Sequence, residues 1–179
     1  MTAAGLLAQR ADLPAWRLIL RGPVDVPHGG GGESFVAELR ALAPVLWADG
    51  RLALAPALFD PIELAGAYRA LDVFCYPTEA AEGEAHPVAV LEAMAAGPAI
   101  VATDLPCFAG QLQTGHNALL VPPADPVALA AALERLVRDA TGRAALAARA
   151  RETIWALDDD AVATQHLADF ESLLHAAFR

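Results

Sequence analysis

Short apolar runs alternate along the chain with longer stretches of helical periodicity. Such runs, four or five residues long and bounded by turn residues, are typical of buried strands. Five are present, over residues 16–20, 51–55, 73–76, 99–102 and 118–121. Because strands that alternate with helices form parallel sheets through right-handed crossovers, the pattern predicts an α/β fold with a doubly wound, Rossmann-like parallel sheet.

The helical stretches are marked by their caps as well as by their spacing. Asp60-Pro61 and Asp125-Pro126 each place a capping carboxylate directly before a proline that suits the first helical turn. Further helices are predicted over 3–11, 33–42, 141–157 and 161–178. In the helix over 33–42, Phe35, Leu39 and Leu42 share one face, which predicts the buried side of that helix.

The stretch from Asp72 to Asp104 contains a complete strand–loop–helix–strand unit. A polar, acidic loop follows the strand Val73 to Tyr76, and Pro87 is predicted to start the helix because its missing N–H costs nothing there. Gly97 ends the helix, since glycine readily takes the left-handed conformation that follows a last turn. Units of this kind build parallel sheets.

The junction of this loop and helix is suited to binding an anion. A helix start offers unpaired N–H groups and a partial positive charge that together hold a phosphate. Glu92 lies one turn beyond Val88 on the same helix, about 6 Å along the axis. A diphosphate at the helix start would leave Glu92 for ribose hydroxyls and Glu84, in the loop, for a sugar. A solvated acidic loop and a surface glutamate fit the same spacing, so the spacing alone leaves both interpretations open.

The first predicted strand also ends in a loop of interest, Arg21-Gly22-Pro23. In open α/β sheets ligands bind outside the carboxyl ends of strands, where this loop lies. His28 and the glycines 29–32 follow, but they lack the Gly-Lys-Ser/Thr ending of a phosphate-binding P-loop. We therefore interpret the glycine-rich segment as a surface connection.

Composition and charge narrow the function classes. The chain has 179 residues and 56% hydrophobic residues, enough for one domain with a real core. Its net charge of −10 argues against binding nucleic acid or docking on anionic lipid. No apolar run reaches the roughly 18 residues of a membrane span, and the N-terminus is a poor signal peptide. We therefore expect a cytoplasmic protein in which Cys75 and Cys107 are reduced thiols.

Metal chemistry has one candidate segment, Asp158-Asp159-Asp160. These carboxylates could bind a cation, but they lie between two predicted helices, where a helix cap is the better interpretation. No Cys/His cluster has the spacing of a zinc site, and no Gly-x-Ser-x-Gly motif indicates a hydrolase. We expect no metal and no cofactor.

Several motifs around the two glutamates occur together in one known family. Seven residues separate Glu84 from Glu92, which lies within Leu91-Glu92-Ala93-Met94-Ala95. Gly97, Thr103-Asp104 and the run over 115–123 follow in order. From about Trp16 onward the chain resembles the nucleotide-sugar-binding domain of the retaining, group 1 (family 4) glycosyltransferases with the GT-B fold, with a local order similar to that of mannosyltransferases. The two-glutamate signature in this context is fairly specific.

The resemblance implies separate roles for the two glutamates. Glu84 would contact sugar hydroxyls and stabilise the transition state, and Glu92 would hold the ribose. Many relatives have Glu-Gly-Phe-Gly where this chain has Glu84-Ala85-His86-Pro87, and Glu82-Gly83 offers a rival register. The seven-residue spacing favours Glu84.

The resemblance also implies a set of donor-binding groups. Backbone N–H groups of His86, Val88 and Ala89 would face the sugar and phosphates, whereas Pro87 has no N–H to donate. His86 could add positive charge there, or could serve only as a helix cap. Phe59 lies where relatives contact the nucleobase, and it could stack on the base or belong to the core. The family usually places an Arg and a Lys on the diphosphate, but all twelve basic residues here are Arg. We count Arg21 and Gly22 as further donor-binding residues.

The resemblance implies a domain that works with another. Residues 1–179 are expected to form a single Rossmann-like donor domain, the C-terminal half of a GT-B enzyme, without the N-terminal acceptor domain. The family's Gly-Arg…Lys segment would fall upstream of Met1. The expected function is donor binding for a retaining, metal-independent transfer from a nucleotide sugar, with the chain alone inactive. A non-catalytic nucleotide-sugar-binding module and an α/β scaffold are the alternatives.

The last predicted helix bears on partners. Its apolar stripe must fold back on the domain's own sheet or meet the missing domain or a second copy in a homodimer, because large exposed apolar patches are uncommon on monomers. We expect it to fold back in part. The members of this stripe are His166, Phe170, Leu173, Leu174 and Ala177.

Overall fold

The computed structural model describes residues 1–79, 87–156, 160, 163–164 and 166–170. Helices and strands alternate through most of this range, as the sequence predicts. In chain order the elements are α1 (Thr2–Ala8), β1 (Leu18–Arg21), α2 (Gly32–Leu42), α3 (Pro44–Ala48), β2 (Leu52–Ala55), α4 (Pro61–Arg69), β3 (Val73–Tyr76), α5 (Val88–Ala96), β4 (Ala99–Thr103), β5 (Leu119–Val121), α6 (Pro126–Arg138) and α7 (Ala140–Trp155). Short 3₁₀ turns cover Val26–His28 and Pro106–Phe108.

All strand pairs in the described residues are parallel, which confirms the predicted fold class. The strands nevertheless form two ladders, β1–β2 and β3–β4–β5, and not one continuous sheet. Leu18 lies opposite Leu52 in the first ladder, and Val73 lies opposite Ala99 in the second. Helices join the two ladders, because α1 packs against α6 and α4 packs against α5. A surface ion pair between Arg138 and Asp12, 2.8 Å apart, spans the α1–α6 side.

The core lies on both faces of β4, which is buried along its whole length. Ile100 and Ala102 face one cluster, which includes Val90 and Met94 of α5. The alternate residues Ala99 and Val101 face a second cluster with Leu136 of α6 and Leu146 of α7. Side chains of a strand alternate between faces, so helices cover both sides of this ladder. This packing fixes α5 beside β3 and β4 and sets the position of its first turn.

The first ladder has its own smaller core, built from α1, α3 and β2. Leu46 of α3 is 1% exposed and packs with Leu52 of β2. Pro44 starts α3 directly after α2 has ended, in keeping with the preference of proline for a first helical turn. The predicted inner face of α2 is wrong at Phe35 and Leu42, which are both exposed, because α2 turns Val36 inward instead.

The helix starts follow the predicted capping chemistry. The Asp60 carboxylate accepts hydrogen bonds from the N–H groups of Ile62 and Glu63, both at 2.9 Å. Asp125 accepts in the same way from Val127 and Ala128, at 3.0 and 2.9 Å. Local sequence therefore determines where α4 and α6 begin.

Only parts of the last predicted helix belong to the described residues. Residues 163–164 and 166–170 are helical, and so is Asp160. His166 and Phe170, the two members of the apolar stripe in this range, are exposed, so this part does not fold back on the sheet. Leu173, Leu174 and Ala177, like Asp158 and Asp159, lie outside the described residues. In the part of the chain that the structure describes, no helix is long and apolar enough to cross a membrane.

Candidate functional site

The first turn of α5 lies just after the carboxyl end of β3. Pro87 is buried and has an extended ψ of 94°, so it caps the helix and Val88 is the first helical residue. The sequence had placed Pro87 itself in the first turn. The Pro87 carbonyl accepts a hydrogen bond from the Val90 N–H at 2.9 Å. The N–H groups of Val88 and Ala89 open the helix ahead of that bond, where an α-helix lacks intrahelical acceptors.

Glu92 is an exposed residue on α5, one turn beyond Val88. Its Oε2 accepts a hydrogen bond from the Tyr68 hydroxyl at 3.1 Å, which links α5 to α4. Burial, together with the charge of Glu92, raises the pKa of Tyr68 to about 12. The phenol is therefore protonated at neutral pH and acts as the donor. The sequence did not indicate this contact, because it joins side chains of two different helices and leaves no signal in local spacing.

A row of aromatic side chains extends from Tyr68 into the core. Its ring meets Phe74 of β3 edge-on, with centroids 5.5 Å apart. Phe74 stacks on Tyr76 at 6.4 Å, and Tyr76 meets Phe108 edge-on at 6.3 Å. Phe108 is 1% exposed. The row thus connects the hydroxyl that contacts Glu92 to the buried core, in arrangements that aromatic pairs favour.

A cleft of about 620 Å³ lies at the carboxyl ends of β1 and β2. Gly22, Pro56 and Phe59 are among its lining residues. Arg21 extends from the end of β1 and donates a hydrogen bond to the Pro56 carbonyl at 2.7 Å, which ties the two strand ends together. The phenyl ring of Phe59 is 79% exposed, so the core role considered for it is wrong.

The glycine-rich connection after β1 contributes to this cleft. His28 lines it and hydrogen-bonds through Nδ1 to the Asp25 carboxylate. The imidazole lies 6.3 Å from the Phe59 ring, centroid to centroid. Gly30 lies so close to the Val24 backbone that a Cβ would overlap it. The segment is thus a structured wall of the cleft, a role that its position after a strand end could have indicated.

The predicted site residues fall into two groups, with part of the prediction outside the described residues. Glu84, its rival Glu82, and His86 belong to that undescribed part, so the prediction that Glu84 and Glu92 share one cleft stays a prediction. One group lies at the carboxyl ends of β1 and β2 and consists of Arg21, Gly22 and Phe59. The other group follows β3 and consists of Pro87, Val88, Ala89 and Glu92.

The described residues offer little support for metal or thiol chemistry. No group of three or more His, Cys, Asp or Glu side chains in this part of the chain is arranged to hold a metal ion. Cys75 and Cys107 are free cysteines. Burial raises the pKa of the Cys75 thiol to about 11, so this thiol is protonated and a poor nucleophile.

Comparison with known proteins agrees on one family. Residues 2–139 match the family model described as Glycosyl transferases group 1. The phosphatidyl-myo-inositol mannosyltransferase of Mycolicibacterium smegmatis is 37% identical over 98% of this chain and 43% of its own length.

Solved structures share the fold. Sucrose-phosphate synthase from Thermosynechococcus elongatus superposes with a TM-score of 0.73 at 27% identity, over 98% of this chain and 43% of that one. Anabaena Alr3699/HepE, solved in complex with UDP and glucose, gives 0.72 at 20% identity, over 96% and 43% of the two chains. This chain therefore spans less than half the length of each of these three proteins. It belongs to the group 1 family of glycosyl transferases.

Proposed function

We propose that this chain is the donor-binding domain of a retaining, metal-independent glycosyltransferase. The observation that carries the proposal is the open first turn of α5 with Glu92 one turn behind it, at the carboxyl end of a parallel strand in a chain of this family. Residues 1–179 form this one domain, and an N-terminal domain outside the sequence supplies the acceptor.

The donor diphosphate binds at the start of α5. The N–H groups of Val88 and Ala89 and the positive end of the helix dipole hold its oxygens, and Pro87 has no N–H to add to them. Charge accumulates on the diphosphate as the sugar leaves, so the same N–H groups favour the transition state. Fixed dipoles supply this stabilisation in place of a metal ion.

The two ends of the nucleotide have separate sites. The Glu92 carboxylate accepts hydrogen bonds from the ribose hydroxyls. The cleft between the β1 and β2 ends holds the nucleobase, because 620 Å³ accommodates it and the exposed Phe59 ring offers a stacking surface. Arg21, with Gly22 beside it, brings positive charge to this edge. A UDP complex of the similarly folded Anabaena protein supports a nucleotide as ligand.

The sugar contacts Glu84, with His86 beside the diphosphate. The Glu84 carboxylate orients sugar hydroxyls and stabilises the positive charge that develops on the sugar ring. Because the relatives are more than twice as long as the matched region, we propose that transfer needs the second domain. Saturable transfer by the 179-residue chain alone, abolished by Glu84→Ala, would contradict that boundary.

Calorimetry with UDP, GDP and ADP tests donor binding. We expect at least one to bind saturably, and Glu92→Gln to weaken it about tenfold or more, since a hydrogen bond to a charged group contributes about 1.5–3 kcal/mol. Glu152→Gln is the matched control, because Glu152 is an exposed glutamate on α7. The proposal fails if no diphosphate binds, or if both substitutions have the same effect.

A further inference from the structure

We propose that Tyr68 is a positioning residue, which holds the Glu92 carboxylate in one orientation for the ribose. This inference rests on the proposed function and adds a residue from a different helix to the donor site. Its basis is the hydrogen bond from the Tyr68 hydroxyl to Glu92 Oε2, at 3.1 Å between residues 24 positions apart.

Tyr68 is fixed more firmly than the side chain it contacts. It is half-buried, and its ring packs edge-on against Phe74 with the planes 71° apart. Glu92 is exposed and has several rotatable bonds, so an unrestrained carboxylate would occupy several rotamers and lose that freedom on binding a ligand. A bond to an anchored phenol restricts the carboxylate before the ligand arrives, which reduces the entropic cost of binding.

The neutral donor preserves what Glu92 has to do. An ionised carboxylate can accept about four hydrogen bonds, and Tyr68 occupies one position on Oε2. Among the described residues, no basic side chain forms an ion pair with Glu92. An arginine would have neutralised the carboxylate and occupied both oxygens in a fork. A phenol orients the group, leaves Oε1 available and keeps the negative charge that attracts ribose hydroxyls.

Tyr68→Phe removes the hydroxyl and retains the ring that packs on Phe74. The nucleoside diphosphate that binds most tightly among UDP, GDP and ADP is compared with its 2′,3′-dideoxy analogue by calorimetry. We expect Tyr68→Phe to weaken the ribonucleotide about three- to tenfold, the range of one net hydrogen bond. The dideoxy analogue should bind wild type and Tyr68→Phe with equal affinity, because it has no ribose hydroxyls to donate to Glu92.

A double-mutant cycle shows whether Tyr68 acts through Glu92. In the Glu92→Gln background, Tyr68→Phe should weaken nucleotide binding much less than it does in the wild type, since the oriented carboxylate is already absent. A second readout needs no nucleotide. In an absorbance titration of the chain's two tyrosines, Glu92→Gln should lower the pKa of Tyr68 from about 12.

The outcomes separate this inference from the proposed function. If wild type binds the ribonucleotide and Glu92→Gln weakens it, but Tyr68→Phe does not, the positioning role is wrong. Equal losses for the ribonucleotide and the dideoxy analogue would mean that Tyr68 only supports the fold, which also overturns the proposal. If wild type binds no diphosphate, the proposed function itself fails and the role of Tyr68 fails with it.

Discussion

Alanine substitutions at two glycines should change stability in opposite directions. Gly97 ends α5 with a φ of 113°, a backbone conformation that residues with a Cβ adopt only at a cost in free energy. A Cβ there would also overlap the guanidinium of Arg151, although that flexible side chain can move away. Gly66 lies inside α4, has no atom within 4 Å of an added Cβ and does not have a positive φ.

The expected magnitudes follow from the backbone. Placing alanine in a left-handed conformation costs about 1–2 kcal/mol, so Gly97→Ala should lower the free energy of unfolding by about that amount. Replacing glycine inside a helix gains about 0.5–1 kcal/mol, so Gly66→Ala should raise it. For a protein of this size, 1 kcal/mol corresponds to a change in Tm of about 2–4 °C.

Urea denaturation of the two variants and wild type measures both effects. The m-values should agree among the three proteins, so that the midpoints report stability alone. The reasoning fails if Gly97→Ala is as stable as wild type, or if Gly66→Ala is destabilised. Either result would mean that the end of α5 or the interior of α4 differs from the structure.

Three further predictions address the core, a cap and pH. Phe108→Ala removes a 1% exposed ring and should cost about 3–5 kcal/mol in urea denaturation; a loss under 1 kcal/mol would contradict its burial. Asp125→Ala removes the acceptor for two N–H groups and should cost about 1 kcal/mol, whereas Asp125→Asn should retain most of the stability. Because the pKa of Tyr68 is raised to about 12 in the folded protein, its protonated hydroxyl contributes stability that is complete below pH 10 and is lost as the pH rises through 12. Tyr68→Phe should therefore lose less stability between pH 10 and 12 than wild type does.

Local signals in the sequence predicted the elements well. Val73 to Tyr76 is the strand that the sequence predicts, and Asp60 and Asp125 cap the helices expected of them. Capping depends on residues two or three positions away, so the sequence alone contains the information. Gly97 ends α5 for the same reason.

Features that depend on packing between elements were harder to predict. The apolar spacing of α2 indicated Phe35 as an inner residue, but in the fold Val36 is the buried residue of that helix and Phe35 is exposed. Strand spacing predicts parallel pairing without saying which strands pair, so the division into two ladders was missed. The contact between Tyr68 and Glu92 joins two helices, and no local spacing indicates it.

The central claim is that a donor diphosphate binds at the start of α5, and amide chemical shifts test it most directly. Adding the best-binding nucleoside diphosphate to ¹⁵N-labelled protein should shift the Val88 and Ala89 amide signals saturably, with the affinity that calorimetry gives. The amide of Gly142, which donates to Asp139 at the start of α7, serves as a reference helix start and should not move. Shifts that spare Val88 and Ala89, or that affect every helix start equally, would contradict the account.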